Sequence, residues 1–164
     1  DEGVELAIRI GHLEDSAMRA RPLAWFERVC VASRAYLEKR GTPSSPDDLK
    51  EHDCLIYTLL STGTNWRFKD TDVPISGRLR VNSPEAIREY VNAGLGIAQG
   101  PQWLYEDGLK SGNLQLLLNE YVAPPVPIQI VYLANRLLPR RAIVFMDFMA
   151  DVFAKSSAFH ERLK

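Results

Sequence analysis

Three places in this 164-residue chain set a short apolar run directly ahead of a helix-capping residue: Val31-Ala32-Ser33, Val81-Asn82-Ser83 and Ala98-Gln99-Gly100-Pro101. The first turn of a helix has backbone N–H groups without intrahelical partners and carries the positive end of the helix dipole, so it suits a carboxylate or a phosphate. In sheets flanked by helices, ligands bind off the carboxyl ends of the strands, where such turns gather. Ser33 and Ser83 each add a hydroxyl. Arg9 lies in the alternating run Val4-Glu5-Leu6-Ala7-Ile8-Arg9-Ile10-Gly11 and adds a candidate charge partner for an anion, although the same alternation can equally aim it at solvent. Every α/β protein has junctions of this kind, so on their own they mark only a candidate ligand site.

Patterns for bond-making chemistry are missing. Gly94-Leu95-Gly96 is followed by Gln99 where a dinucleotide fingerprint needs glycine. No phosphate-cradling Gly-x-x-x-x-Gly-Lys and no Gly-x-Ser-x-Gly elbow occurs. His12, His52 and His160 are far apart; His52 and Cys54 are two residues apart, but a metal site needs three or four convergent ligands. The simpler reading is a surface His52 and two buried thiols, Cys30 and Cys54, acting as small apolar groups. Asp47-Asp48, Asp70 with Asp72, and Glu106-Asp107 fall in turns or at helix ends, where carboxylates serve structure. Trp66-Arg67-Phe68-Lys69 interleaves aromatics with cations in a way that could stack on bases, but it fits better a strand with one packed and one solvated face. The sequence therefore implies no catalytic residue, no metal and no cofactor.

The elements that must position these residues read as alternating strands and helices. Val4, Leu6, Ile8 and Ile10 mark a strand; residues 21–26 and 28–32 are extended. A helix over 34–40 starts at Ser33 and stops at Gly41, and a short helix opens at Pro46. Residues 54–57 and 79–81 are strands, and 65–69 pairs with 73–76 as a ribbon. Ser83 caps a helix over 85–93 that has Pro84 in its first position, and Gly94 ends it. A strand over 97–99 is followed by a second helix from Pro101 to Glu106, which Gly108 terminates. Residues 114–118 and 128–133 are strands, joined by a rigid Pro124-Pro125-Val126-Pro127 connector. A last helix runs from Pro139 to about Phe159 and carries Val144, Phe145, Phe148, Met149, Val152 and Phe153 as a broad apolar stripe. This order is α/β, with an antiparallel piece in the middle.

Composition bounds the function. Hydrophobic residues make up 46% and charged residues 25%, the balance of a soluble globular chain. Lys plus Arg (20) against Asp plus Glu (21) leaves a net charge of −1, so the basic excess expected of a free-standing nucleic-acid binder is absent. Two cysteines are too few for a disulfide scaffold. No apolar stretch reaches the ~20 residues of a membrane helix. No signal peptide is visible, which makes a reducing cytoplasm the default expectation. The chain starts without methionine just before a strand, as a piece of a longer protein or a processed one would.

Several segments taken in order resemble the effector-binding domain of LysR-type transcriptional regulators. Ile8 to Ser16 reads Ile-Arg-Ile-Gly-His-Leu-Glu-Asp-Ser, and Ala20-Arg21-Pro22-Leu23 follows it. Ala32-Ser33-Arg34-Ala35-Tyr36-Leu37, Gly41-Thr42-Pro43, Pro46-Asp47-Asp48-Leu49 and His52-Asp53-Cys54-Leu55 come at the family's spacing. Val81-Asn82-Ser83, Ala93-Gly94-Leu95-Gly96-Ile97-Ala98, the closing strand 127–132, and Arg136 with Pro139, Phe145, Asp147 and Phe148 complete the set. The likeness covers nearly the whole chain and rests on the ordered set rather than on one motif. Two departures are Arg34, where many members have proline, and Leu133-Ala134-Asn135, where charged residues or histidine are frequent.

The resemblance implies a periplasmic-binding-protein-like fold of two α/β lobes joined by two crossing strands, with crossings near 26–29 and 131–133. Residues 27–132 would form lobe two; 1–26 with 133–164 would form an incomplete lobe one. It implies a small anionic effector between the lobes, lined by Arg9, Gly11 and His12, by Ser33, by Tyr57 and Thr58, by Asn82 and Ser83, and by Gly100 and Pro101. It also implies a homo-oligomer, dimer or tetramer, that contacts DNA only through a helix-turn-helix domain outside this chain, with no membrane partner. A solute-binding protein of a transport system shares the lobed fold and is the alternative. An incomplete lobe one would leave apolar faces on strand 4–10 and helix 139–159 bare, so self-association is expected.

Overall fold

The structure, a computed structural model, describes residues 5–11, 17–60, 62–134, 137–156 and 159. In chain order the strands and helices are β1 (Ala7–Ile10), β2 (Met18–Phe26), β3 (Arg28–Ser33), α1 (Arg34–Arg40), β4 (Ile56–Tyr57), β5 (Asn65–Arg67), β6 (Asp72–Pro74), β7 (Arg80–Val81), α2 (Pro84–Asn92), β8 (Ile97–Pro101), α3 (Glu106–Lys110), β9 (Leu114–Leu117), β10 (Val126–Leu133) and α4 (Arg140–Ala154). The chain divides into two compact units, one made of Asp1–Phe26 with Pro125–Lys164 and the other of Glu27–Pro124. Residues 125–132, expected with the second lobe, fall in the first unit because all of β10 pairs with β1 and β2. Pro127 lies inside β10, opposite Trp25, instead of in a connector.

In the first unit the sheet order is β1-β10-β2, antiparallel throughout. The central strand β10 buries Ile128, Gln129, Ile130 and Val131, while all four residues of the edge strand β1 are exposed. Helix α4 covers the sheet with Ala142 and Met146, and an Arg21–Asp147 ion pair of 2.7 Å ties it to β2. The helix ends at Ala154, earlier than the sequence predicts.

The second unit is built on a mixed sheet. β3 pairs antiparallel with β8 on one side and β9 on the other. β4 pairs parallel with β7, and a parallel Cys54–Ile97 bridge joins this pair to β8. The strand order is therefore β7-β4-β8-β3-β9, with β3 alone running against the others. Alternation along β3 sorts its side chains into two cores. Cys30 and Ala32 pack with Tyr36, Leu49, Trp66 and Phe68 on one face; Val29 and Val31 pack with Ile87, Val91, Tyr105 and Leu114 on the other. The β5–β6 ribbon buries Trp66 and Val73 and leaves Arg67 exposed, so the aromatic–cation interleaving is a strand with one packed face.

Local capping forms as the residues dictate. The Ser33 hydroxyl accepts from the Tyr36 N–H at 3.2 Å, and α1 closes on Gly41, whose φ of 82° suits glycine. Ser83 caps α2 in the same way through the Ala86 N–H at 3.2 Å, with Pro84 in the first turn. Gly108 does not end a helix. It lies within α3, where a Cβ would come within 2.6 Å of the Leu114 side chain, so its role is close packing.

Candidate functional site

The parallel Cys54–Ile97 bridge sets β4 and β8 running the same way; beyond it Tyr57 pairs with Val81 and Gly100 with Val29. One residue further lies the terminal row of strand ends, Arg28 with Pro101 and Thr58 beside Asn82. Ser83 and the first turn of α2 follow directly. Tyr57, Thr58, Asn82, Ser83, Gly100 and Pro101 thus lie at the carboxyl ends of β4, β7 and β8, which run the same way. The Thr58 N–H donates to the Val81 carbonyl at 2.8 Å, which fixes the separation of β4 and β7 there. Asn82 and Thr58 are exposed; Ser83 also donates its hydroxyl to Glu85 at 2.7 Å, and that bond holds the Glu85 carboxyl below its usual range.

Ser33 is not brought to this end. Because β3 runs against β4, β7 and β8, its carboxyl end points the other way, and Ser33 lies five residues along from Arg28, roughly 16 Å at 3.3 Å per residue. It is 1% exposed and close to Gly94, whose Cβ would meet the Ser33 hydroxyl at 3.1 Å. Its work is to cap α1 from within the core. Arg9 and Gly11 belong to the first unit. Arg9 is exposed on the edge strand opposite Gln129. Gly11, at φ 110°, closes β1: its N–H donates to the Pro127 carbonyl at 2.9 Å, and its own carbonyl accepts from the buried Gln129 amide at 2.7 Å. His12 lies outside the described residues, as do Arg136 and His160.

The terminal row contains a residue that pattern reading missed. Arg28 opens β3 opposite Pro101 and is half-buried. Burial lowers the pKa of its guanidinium below the ordinary value, and the nearby Arg67 charge adds to this. Gly100, beside it in the sheet, is buried against Tyr105, whose Oη lies 2.6 Å from where a Cβ would stand. That hydroxyl is buried without a hydrogen-bond partner among the described residues, and burial pushes its pKa up.

The reactive side chains elsewhere serve structure. Burial pushes Cys30 and Cys54 up to about 12 each, so neither thiol is poised as a nucleophile. His52 is buried, not on the surface as the sequence reading has it: its Nδ1 lies 3.1 Å from the Tyr36 hydroxyl, which also accepts from the Asp53 N–H at 3.0 Å. Asp48 is held at about 2 by the hydroxyls and N–H groups of Ser44 and Ser45 around a helical turn. Among the described residues no group of three or more His, Cys, Asp or Glu could hold a metal ion, and no helix is long and apolar enough to cross a membrane.

Comparisons with known proteins agree with this architecture. The LysR substrate binding domain family matches residues 1–154. An HTH-type transcriptional regulator of Haemophilus influenzae is 36% identical over 142 residues, 84% of this chain and 49% of that protein. The HTH-type transcriptional regulator CrgA of Neisseria meningitidis is 33% identical over 152 residues, 90% of this chain and 51% of that protein. The solved CrgA regulatory domain superposes with a TM-score of 0.75 at 32% identity, covering 92% of this chain and 76% of that one. The chain therefore spans about half the length of the curated relatives it matches, and those relatives are named as transcriptional regulators, not transport proteins.

Proposed function

Because this chain belongs to the LysR substrate-binding-domain family, we propose that it is the effector-sensing and oligomerising part of a cytoplasmic, DNA-binding transcriptional regulator. Its ligand is a small organic anion. The observation that carries this reading is the gathering of Tyr57, Thr58, Asn82, Ser83, Gly100 and Pro101 at the carboxyl ends of three parallel strands, beside the first turn of α2. Such an edge offers exposed amide and hydroxyl groups and a positive helix end, and no nucleophile–base pair, so it binds and releases without a chemical step. DNA contact would come from a segment outside this chain, which fits its net charge of −1. Ligand binding would favour one of two pre-existing arrangements of the oligomer, by as much as its affinities for the two differ.

The test is thermal unfolding against a panel of small carboxylates, aromatic acids and sugar acids. A true ligand at ~100 times its Kd should add about 2.7 kcal/mol of stability, a shift of several degrees. Protein that unfolds cooperatively yet is shifted by no member of the panel would overturn the reading.

A further inference from the structure

Among the described residues Arg28 is the uncompensated cation of the terminal row. A guanidinium is seldom withdrawn from water unless an acid or carbonyl groups receive its donors. Among the described residues Arg28 has no ion pair and no side-chain hydrogen bond, and the charge that acts on it is another cation, Arg67. Arg67 is itself satisfied: its Nε and Nη2 each reach an Asp72 carboxylate oxygen at 2.9 Å. Asp72 is thereby committed to Arg67, and one positive charge is left over at the strand end beside Gly100 and Pro101. Arg9, by contrast, stands exposed on an edge strand where water already satisfies it.

We propose that Arg28 receives the carboxylate of a small monoanionic ligand through its two parallel N–H donors, and so sets the charge preference of the site. This rests on the effector-binding reading above and names the residue that gives it its sign. A planar fork matches a planar carboxylate in bidentate fashion, which an ammonium cannot do. One uncompensated cation balances one negative charge; a phosphate dianion would leave charge over. Arg67, locked to Asp72, does not compete for the ligand.

The assignment is tested directly by NMR titration of the protein with acetate, with acetamide and inorganic phosphate as controls, following the arginine Nε–H signals. The signal of Arg28 is identified by its loss in Arg28→Lys. A saturable shift of that signal with acetate, absent with acetamide and weaker with phosphate, is expected. No saturable shift, or an equal one with acetamide, overturns the assignment. The second arm takes whichever carboxylate stabilises the protein in the unfolding panel. Arg28→Gln should weaken its binding roughly tenfold or more, and Arg28→Lys, which keeps the charge but loses the fork, by several-fold. Unchanged affinity in both variants overturns the Arg28 assignment and leaves the effector reading standing. An acetate response at Arg28 with no stabilising compound in the panel does the reverse.

Discussion

Helices α2 and α4 carry apolar residues at helical spacing, and they end in different situations. α2 buries Ile87 and Val91 against the sheet of its unit and turns Glu85 and Glu89 to solvent. α4 buries Ala142 and Met146, and then presents Phe145, Phe148 and Val152 to water, with Phe148 60% exposed. The strands repeat the contrast. In the second unit both faces of β3 are packed, whereas in the first unit the edge strand β1 leaves Ile8 and Ile10 exposed. A hydrophobic stripe thus has two possible meanings: an inward face already covered, or a face awaiting a partner. Aliphatic and aromatic surface of this extent is the kind that interfaces bury.

The comparison can be broken by paired truncations. Ile97→Ala, at a fully buried position of β8, should cost about 2–5 kcal/mol, whereas Phe148→Ala should cost less than about 0.5 kcal/mol, both read by denaturant unfolding. Comparable losses at the two sites would mean that the α4 face is covered after all. Next in size is the fit beneath the terminal row. Gly100→Ala would drive a methyl into the Tyr105 hydroxyl and should cost about 1–3 kcal/mol. Tyr105→Phe removes the partnerless hydroxyl, should be neutral or stabilising, and should recover part of the Gly100→Ala loss in a double-mutant cycle.

The bare face sharpens the comparison through association. Sedimentation should show a dimer or larger species whose share grows with concentration, and Phe148→Glu should lower the association constant roughly tenfold or more, as loss of a central aromatic does. A wild-type chain that stays monomeric at every concentration would contradict this. The smallest effect is a pH dependence confined to the second unit. Burial, with Arg40 nearby, holds His52 below 6.5, so the folded state favours the neutral ring. Its contribution is whole above pH 6.5 and is lost as pH falls from there towards the folded value. His52→Gln should flatten that part of the stability curve, and an unchanged curve would show that His52 carries no such linkage.

The parts of this fold that were legible in the sequence are those decided within a few residues. Ser33 and Ser83 cap their helices, Gly41 closes α1, and Pro84 opens α2, because the capping bond joins residues three apart. The placement of Ser33 relative to Ser83 was not legible. Which end of a sheet a strand points to depends on its neighbours' directions, and β3 is reversed by pairings with residues some 70 and 80 positions away. The same blindness hid Arg28, since a single arginine opening a strand has no spacing signal; its meaning comes from Arg67 and Asp72 in a separate ribbon. Gly108 misled in the opposite direction: the local rule makes it a terminator, but the Leu114 side chain, at the start of the next strand, requires the missing Cβ. His52 was read as a surface residue because its partner, the Tyr36 hydroxyl, sits on another element.

The central claim is that the second unit binds its ligand at the end of the sheet formed by β4, β7 and β8, away from Ser33. Amide hydrogen exchange, with and without a stabilising carboxylate from the unfolding panel, tests it most directly. Added protection is predicted over 56–59, 81–86 and 99–103, with the first turn of α1 unchanged. Protection confined to the first turn of α1, or to α4, with those three segments unaltered, would contradict it.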